Sequence, residues 1–117
     1  MIDAVVVFTG DGSHRLAPLL KPGFRHCFAV VRDPKGPWIL VDPARGVPRL
    51  SVIGLEDFDV ARFYRDMGLT AVETARADAP LYFPWTTATC VGMVKAVIGL
   101  RAPLVVTPYG LYRRLTR

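Results

Sequence analysis

Three side chains in this 117-residue chain could do chemistry together: His26, Asp42 and Cys90. A cysteine is a useful nucleophile only as its thiolate, and the first turn of a helix favours that anion through its free backbone N–H groups and its dipole. Cys90 follows Thr86-Thr87-Ala88-Thr89, a run of capping residues, and precedes Val91, Val94, Val97 and Ile98 at helical spacing. The pattern predicts a helix beginning near Thr87 to Thr89, closed by Gly99, with Cys90 in its first turn. A free cysteine also serves often as a small apolar core residue, and position alone does not separate the two uses.

His26 lies in Phe24-Arg25-His26-Cys27-Phe28-Ala29-Val30-Val31, which reads as a strand. Alternation puts His26 on the face of Phe24, Phe28 and Val30 and turns Cys27 to the other side, so Cys27 is assigned to structure alone. Asp33-Pro34-Lys35-Gly36-Pro37 has the chemistry of a hairpin loop, and Trp38 to Asp42 returns as the partner strand, ended by Pro43. Asp42 then comes beside the start of the outgoing strand, where its carboxylate can accept the imidazole Nδ1–H and hold the ring in one tautomer. Taken singly, His26 reads equally well as a satisfied sheet residue, and Asp42 as half of an Asp-Pro turn.

The remaining elements must position this group. Ile2 to Phe8 is a β-branched strand closed by Thr9-Gly10-Asp11-Gly12-Ser13, and Leu50 to Ile53 adds a strand. Val60, Phe63, Tyr64 and Met67 recur at helical spacing between Asp57 and Met67, with Gly68 as the terminator. Leu69 to Thr74 alternates as an edge strand, and Thr107-Pro108 opens a terminal helix through Leu111, Tyr112 and Leu115. The expected fold is one α+β domain over residues 1–117, an antiparallel sheet packed against the helix that carries Cys90.

Composition narrows the function. With 51% apolar residues spread along the chain, an ordered globule is expected and a disordered tail is not. The longest uncharged run, Ala79 to Val94, is broken by Pro80 and Pro84 and falls short of the ~20 apolar residues of a membrane span. Met1 leads directly into a strand with no basic n-region or cleavage site, so the expected compartment is the cytoplasm, with virion-associated delivery as a second route. The two cysteines are expected as free thiols. The net charge of +5 rests mainly on arginine, and Arg101, Arg113, Arg114 and Arg117 read as a solvated basic face, so nucleic acid is not expected as a partner. His14 in Asp11-Gly12-Ser13-His14 has only Asp11 and Asp3 near it, too few for a metal site, and no cofactor is called for. Gly10-x-Gly12 lacks the rest of a dinucleotide fingerprint.

The segment His26-Cys27-Phe28-Ala29-Val30-Val31, then Gly36-Pro37-Trp38-Ile39-Leu40-Val41-Asp42-Pro43, resembles the His-to-Asp segment of transglutaminase-like and other papain-fold enzymes. Those enzymes carry a strand histidine, a glycine-proline hairpin, a Trp-led apolar strand and a Val-Asp-Pro ending. In the usual order the cysteine comes first, whereas here Cys90 follows, so the chain is similar to the circularly permuted branch that includes lecithin:retinol acyltransferase-like proteins and bacterial amidases. Thr89-Cys90 stands where the acyltransferase branch has Asn-Cys. The resemblance implies a permuted papain-like fold, Cys90 as nucleophile, His26 as general base and acid, and Asp42 as the residue that orients it. It also implies a peptide-like or acyl substrate.

Acyl transfer by such a group would need an oxyanion hole. The Cys90 N–H is the first donor, and Thr89, Thr87 and Tyr82 compete for the second place. Trp85 and Trp38 are expected to wall the cleft, although each also reads as a core aromatic. The expected function is a thiol hydrolase, peptidase or amidase; the alternative is a non-catalytic binding or assembly module of a bacteriophage or mobile element on the same fold.

Overall fold

The computed structural model describes residues 2–10, 20–33, 35–43, 49–55, 57–77 and 89–117. Ala4–Thr9 (β1), His26–Val31 (β2), Trp38–Asp42 (β3), Arg49–Gly54 (β4) and Thr70–Thr74 (β5) form one antiparallel sheet in the order β4-β3-β2-β1-β5. The helices are Val60–Asp66 (α1), Cys90–Ile98 (α2) and Pro108–Leu115 (α3). The architecture is α+β, and β5 is an outer strand, as its alternating pattern predicts.

Strand alternation sorts the apolar side chains into two cores. Val5, Val7, Phe28, Val30 and Trp38 pack under Val60, Ala61 and Tyr64 of α1. Ala4, Val6, Phe8, Cys27, Ala29, Val31 and Val41 pack on the opposite face with Val91, Val94 and Ile98 of α2 and Leu111 of α3. The interior strand β1 is buried on both faces, which explains why it reads as a continuous apolar run.

Local capping chemistry sets the helix ends. Thr89 is the N-cap of α2, its hydroxyl oxygen accepting from the Gly92 N–H at 3.0 Å, and Thr107 caps α3 in the same way through Gly110, with Pro108 at the first position. Gly99 closes α2 in the left-handed conformation at φ 73°. A Cβ there would stand 1.6 Å from the Ala77 carbonyl oxygen, so the glycine is needed for close approach as well as for φ. The segment around Arg76 ties this end of α2 to the sheet. Ala77 N–H donates to Ile98 C=O and Arg76 Nε to Val97 C=O, while the Arg76 N–H reaches the Asp3 carboxylate.

Two expectations are corrected here. β2 begins at His26 and not at Phe24; Phe24 turns to the α3 side, where an aromatic cluster draws it off the strand, its ring tilted against Phe8 and Tyr112 and edge-on to Tyr109. The buried stripe of α1 is Val60, Ala61 and Tyr64, whereas Phe63 and Met67 are 44% and 61% exposed. Seven residues are two turns, too short for both ends of the predicted stripe to face the sheet. No helix among the described residues is long and apolar enough to cross a membrane.

Candidate active site

His26, Asp42 and Cys90 come together at one end of the sheet. β2 and β3 pair through Ala29↔Val41, Val30↔Leu40 and Val31↔Ile39. Continuing that register puts Asp42 opposite Phe28 and diagonal to His26 on the same face, within reach of its ring. Asp42 Oδ1 lies 2.9 Å from His26 Nε2, with both side chains largely sheltered. The nitrogen is not the one expected: Asp42 takes Nε2 and leaves Nδ1, because a diagonal partner meets the outer edge of the ring.

α2 packs across β2, and Cys90 is its first residue, as capping by Thr89 requires. The Cys90 side chain hydrogen-bonds His26, and with Nε2 engaged by Asp42 the free partner is Nδ1. This bond is the chief cause of the rise of His26 from 6.5 to about 9, opposed by burial and assisted by Asp42. Cys90 moves the other way, from 9.0 to about 4. A hydrogen bond from the Cys27 side chain is the largest cause, burial opposes it, and His26 and the Cys27 backbone N–H add to it. At neutral pH the pair is therefore a thiolate and an imidazolium.

Cys27 was expected to face away from His26 as a structural residue. It does face away from Phe28, fully buried in the α2-side core. That core is where α2 begins, so Cys27 lies beneath Cys90 and donates to it. Its own thiol is pushed well above the ordinary range, first by the bond to Cys90 and then by burial. Both cysteines are free.

The other predicted site residues divide. Thr89 is beside Cys90 and exposed, its oxygen committed to the cap and its hydroxyl proton available to donate. The N–H groups of Cys90 and Val91, at the start of α2, have no acceptor within the helix, as the geometry of a first turn dictates. Trp38 is not at the site: it starts β3 while Asp42 ends it, four residues and ~13 Å apart, and it is 4% exposed in the core under α1. Tyr82, Trp85, Thr87 and the loop histidine His14 lie outside the described residues. Burial, with help from Asp42, raises the Tyr64 phenol, so α1 closes the α1 side of the carboxylate. Among the described residues no group of three or more His, Cys, Asp or Glu is arranged to hold a metal ion.

Comparison with family models, curated proteins and solved structures finds no match to this chain.

Proposed function

We propose that the chain is a cysteine hydrolase of the permuted papain-like type, acting on an amide, peptide or ester bond through Cys90, His26 and Asp42. The observation that carries this reading is the continuous hydrogen-bonded run from Cys90 through His26 to Asp42, with the thiol at the first position of a helix. Three polar side chains distant in sequence converge there in the arrangement nucleophilic catalysis needs.

In the reaction the Cys90 sulfur forms a bond to the substrate carbonyl carbon, and the C=O π pair moves onto oxygen. The helix-start N–H groups of Cys90 and Val91 face that charge. Collapse breaks the bond to the leaving group, which takes the imidazolium proton from His26. Neutral His26 then removes a proton from water as it attacks the thioester, and the departing thiolate recovers its ion pair. Asp42 keeps the ring oriented and steadies its charge throughout.

A chromogenic ester such as p-nitrophenyl acetate tests the proposal, with the acyl-enzyme sought by mass spectrometry after acid quench. Acetyl on Cys90 in the wild-type chain, and none in His26→Ala at pH 7, is the expected outcome. Equal and slow modification of Cys27 and Cys90 by both the ester and iodoacetamide would overturn it and leave a binding or assembly module as the better reading.

A further inference from the structure

We propose that Cys27 is a positioning residue of this site, its S–H and its backbone N–H both donating to Cys90 Sγ and fixing the thiolate in front of His26. The inference rests on the reading of Cys90 as nucleophile and adds a fourth residue to it.

The geometry begins with the ladder. Arg32 N–H donates to Asp3 C=O in β1, so even-numbered residues of β2 point their N–H groups at β1 and odd-numbered ones at β3. The Cys27 N–H thus faces the β3 flank. There the pairing has stopped at Ala29, and the register continued outward puts Pro43 opposite Cys27. Proline has no N–H to give the Cys27 carbonyl, so that position cannot make the paired exchange of hydrogen bonds and retains only its carbonyl as a ladder partner. The pairing of β2 with β3 ends at Ala29↔Val41, two residues short of Cys27, and Cys90 packs on the core that holds Cys27, its sulfur an acceptor for the Cys27 N–H.

The side chain completes the cradle from below. Cys27 is 0% exposed, whereas Cys90 is only partly buried, so of two thiols sharing a hydrogen bond the buried one keeps its proton and the outer one carries the charge. Beyond the proton of a neutral imidazole, Cys27, Cys90 and His26 then hold two dissociable protons between them at neutral pH, one on Cys27 sulfur and one that makes the ring an imidazolium. When Cys90 forms its bond to carbon the sulfur loses its charge, and the Cys27 S–H loses a charged acceptor. Cys27 consequently stabilises the free thiolate more than the thioester. It keeps the nucleophile ionised and lowers its intrinsic basicity.

The test is the pH profile of iodoacetamide alkylation at Cys90 in full-length wild type, Cys27→Ala and Cys27→Ser. Loss of a hydrogen bond to a charged group corresponds to about ten- to hundredfold in the ionisation equilibrium. The midpoint in Cys27→Ala should therefore rise by about one to two pH units, with the plateau rate rising about threefold per unit because a more basic thiolate is more nucleophilic. Cys27→Ser keeps a donor and should stay nearer to wild type. A purely structural cysteine would lower melting temperature without moving the midpoint. If Cys27→Ala fails to fold, Cys27→Val fills the core without a donor, and in wild type the Cys27 amide proton, followed by NMR, should shift with the Cys90 titration. An unmoved midpoint in the folded donor-free variant, or a stationary Cys27 amide, would overturn the inference. A wild-type midpoint in the ordinary thiol range would instead remove the nucleophile reading on which it rests.

Discussion

Replacing Cys90 by serine should remove a specific part of the acid sensitivity of the fold. In the unfolded chain His26 and Cys90 titrate near 6.5 and 9.0, and in the folded chain near 9 and 4 respectively. The raised His26 contributes stability that is full below 6.5 and lost as pH rises through about 9. The lowered Cys90 contributes stability that is full above 9.0 and lost as pH falls through about 4. Between 6.5 and 9 the two trends cancel, since folded and unfolded pairs each hold one proton, carried on the ring in one and on sulfur in the other. Below 6.5 the unfolded imidazole takes a proton that the folded pair refuses, and stability falls by about 1.36 kcal/mol per pH unit. From 6.5 to about 4 this amounts to about 3 kcal/mol. In Cys90→Ser the main cause of the raised His26 is gone, and so is this slope. Urea unfolding of both proteins at pH 6.5 and pH 4, followed by circular dichroism, measures the difference, because every other carboxylate is common to the two and cancels. Wild type should lose about 3 kcal/mol more than the variant over that interval. Parallel losses would refute the ion pair.

Asp42→Asn should lower turnover roughly ten- to hundredfold, the size of a hydrogen bond to a charged group, and move the basic limb of the pH profile below about 9, because Asp42 helps to raise His26. Gly99→Ala should cost at least about 1 kcal/mol, through its φ of 73° and the collision with Ala77 C=O, read as a lower melting temperature with the Cys90 alkylation midpoint unchanged. Thr89→Ala should cost about 1 kcal/mol by removing the acceptor for the Gly92 N–H, while Thr89→Ser should recover most of it.

The elements written in local chemistry were legible in the sequence. Thr89 with Gly99, Thr107 with Pro108, and the turn residues between β2 and β3 each specify a boundary through contacts a few residues away, and the structure places α2, α3 and β3 accordingly. Boundaries decided by distant partners were not. Phe24 continues the apolar pattern of β2, yet the rings of α3 draw it off the strand, and nothing within eight residues of it announces Tyr109. Phe63 and Met67 keep helical spacing while α1 presents only Val60, Ala61 and Tyr64 to the sheet.

The site divides along the same line. His26 and Asp42 could be paired from the hairpin alone, and Cys90 could be placed in a first turn from its caps. Alternation puts Cys27 on the face away from His26, where it is buried, but says nothing of its bond to Cys90, because it answers only the question of faces: neighbours on a strand point to opposite sides of the sheet. Cys90 packs on the Cys27 face at the start of α2 and also bonds His26, whose side chain belongs to the other face, a convergence that alternation does not describe. A signal for this was present in Pro43. Counting the register outward from the observed pairs sets it against Cys27, and a proline at a paired position withholds one of the two ladder hydrogen bonds there. On the proposed reading, adjacent residues at the end of β3 do two jobs, Asp42 holding the imidazole through its 2.9 Å bond and Pro43, just beyond the strand, withholding a ladder donor from Cys27.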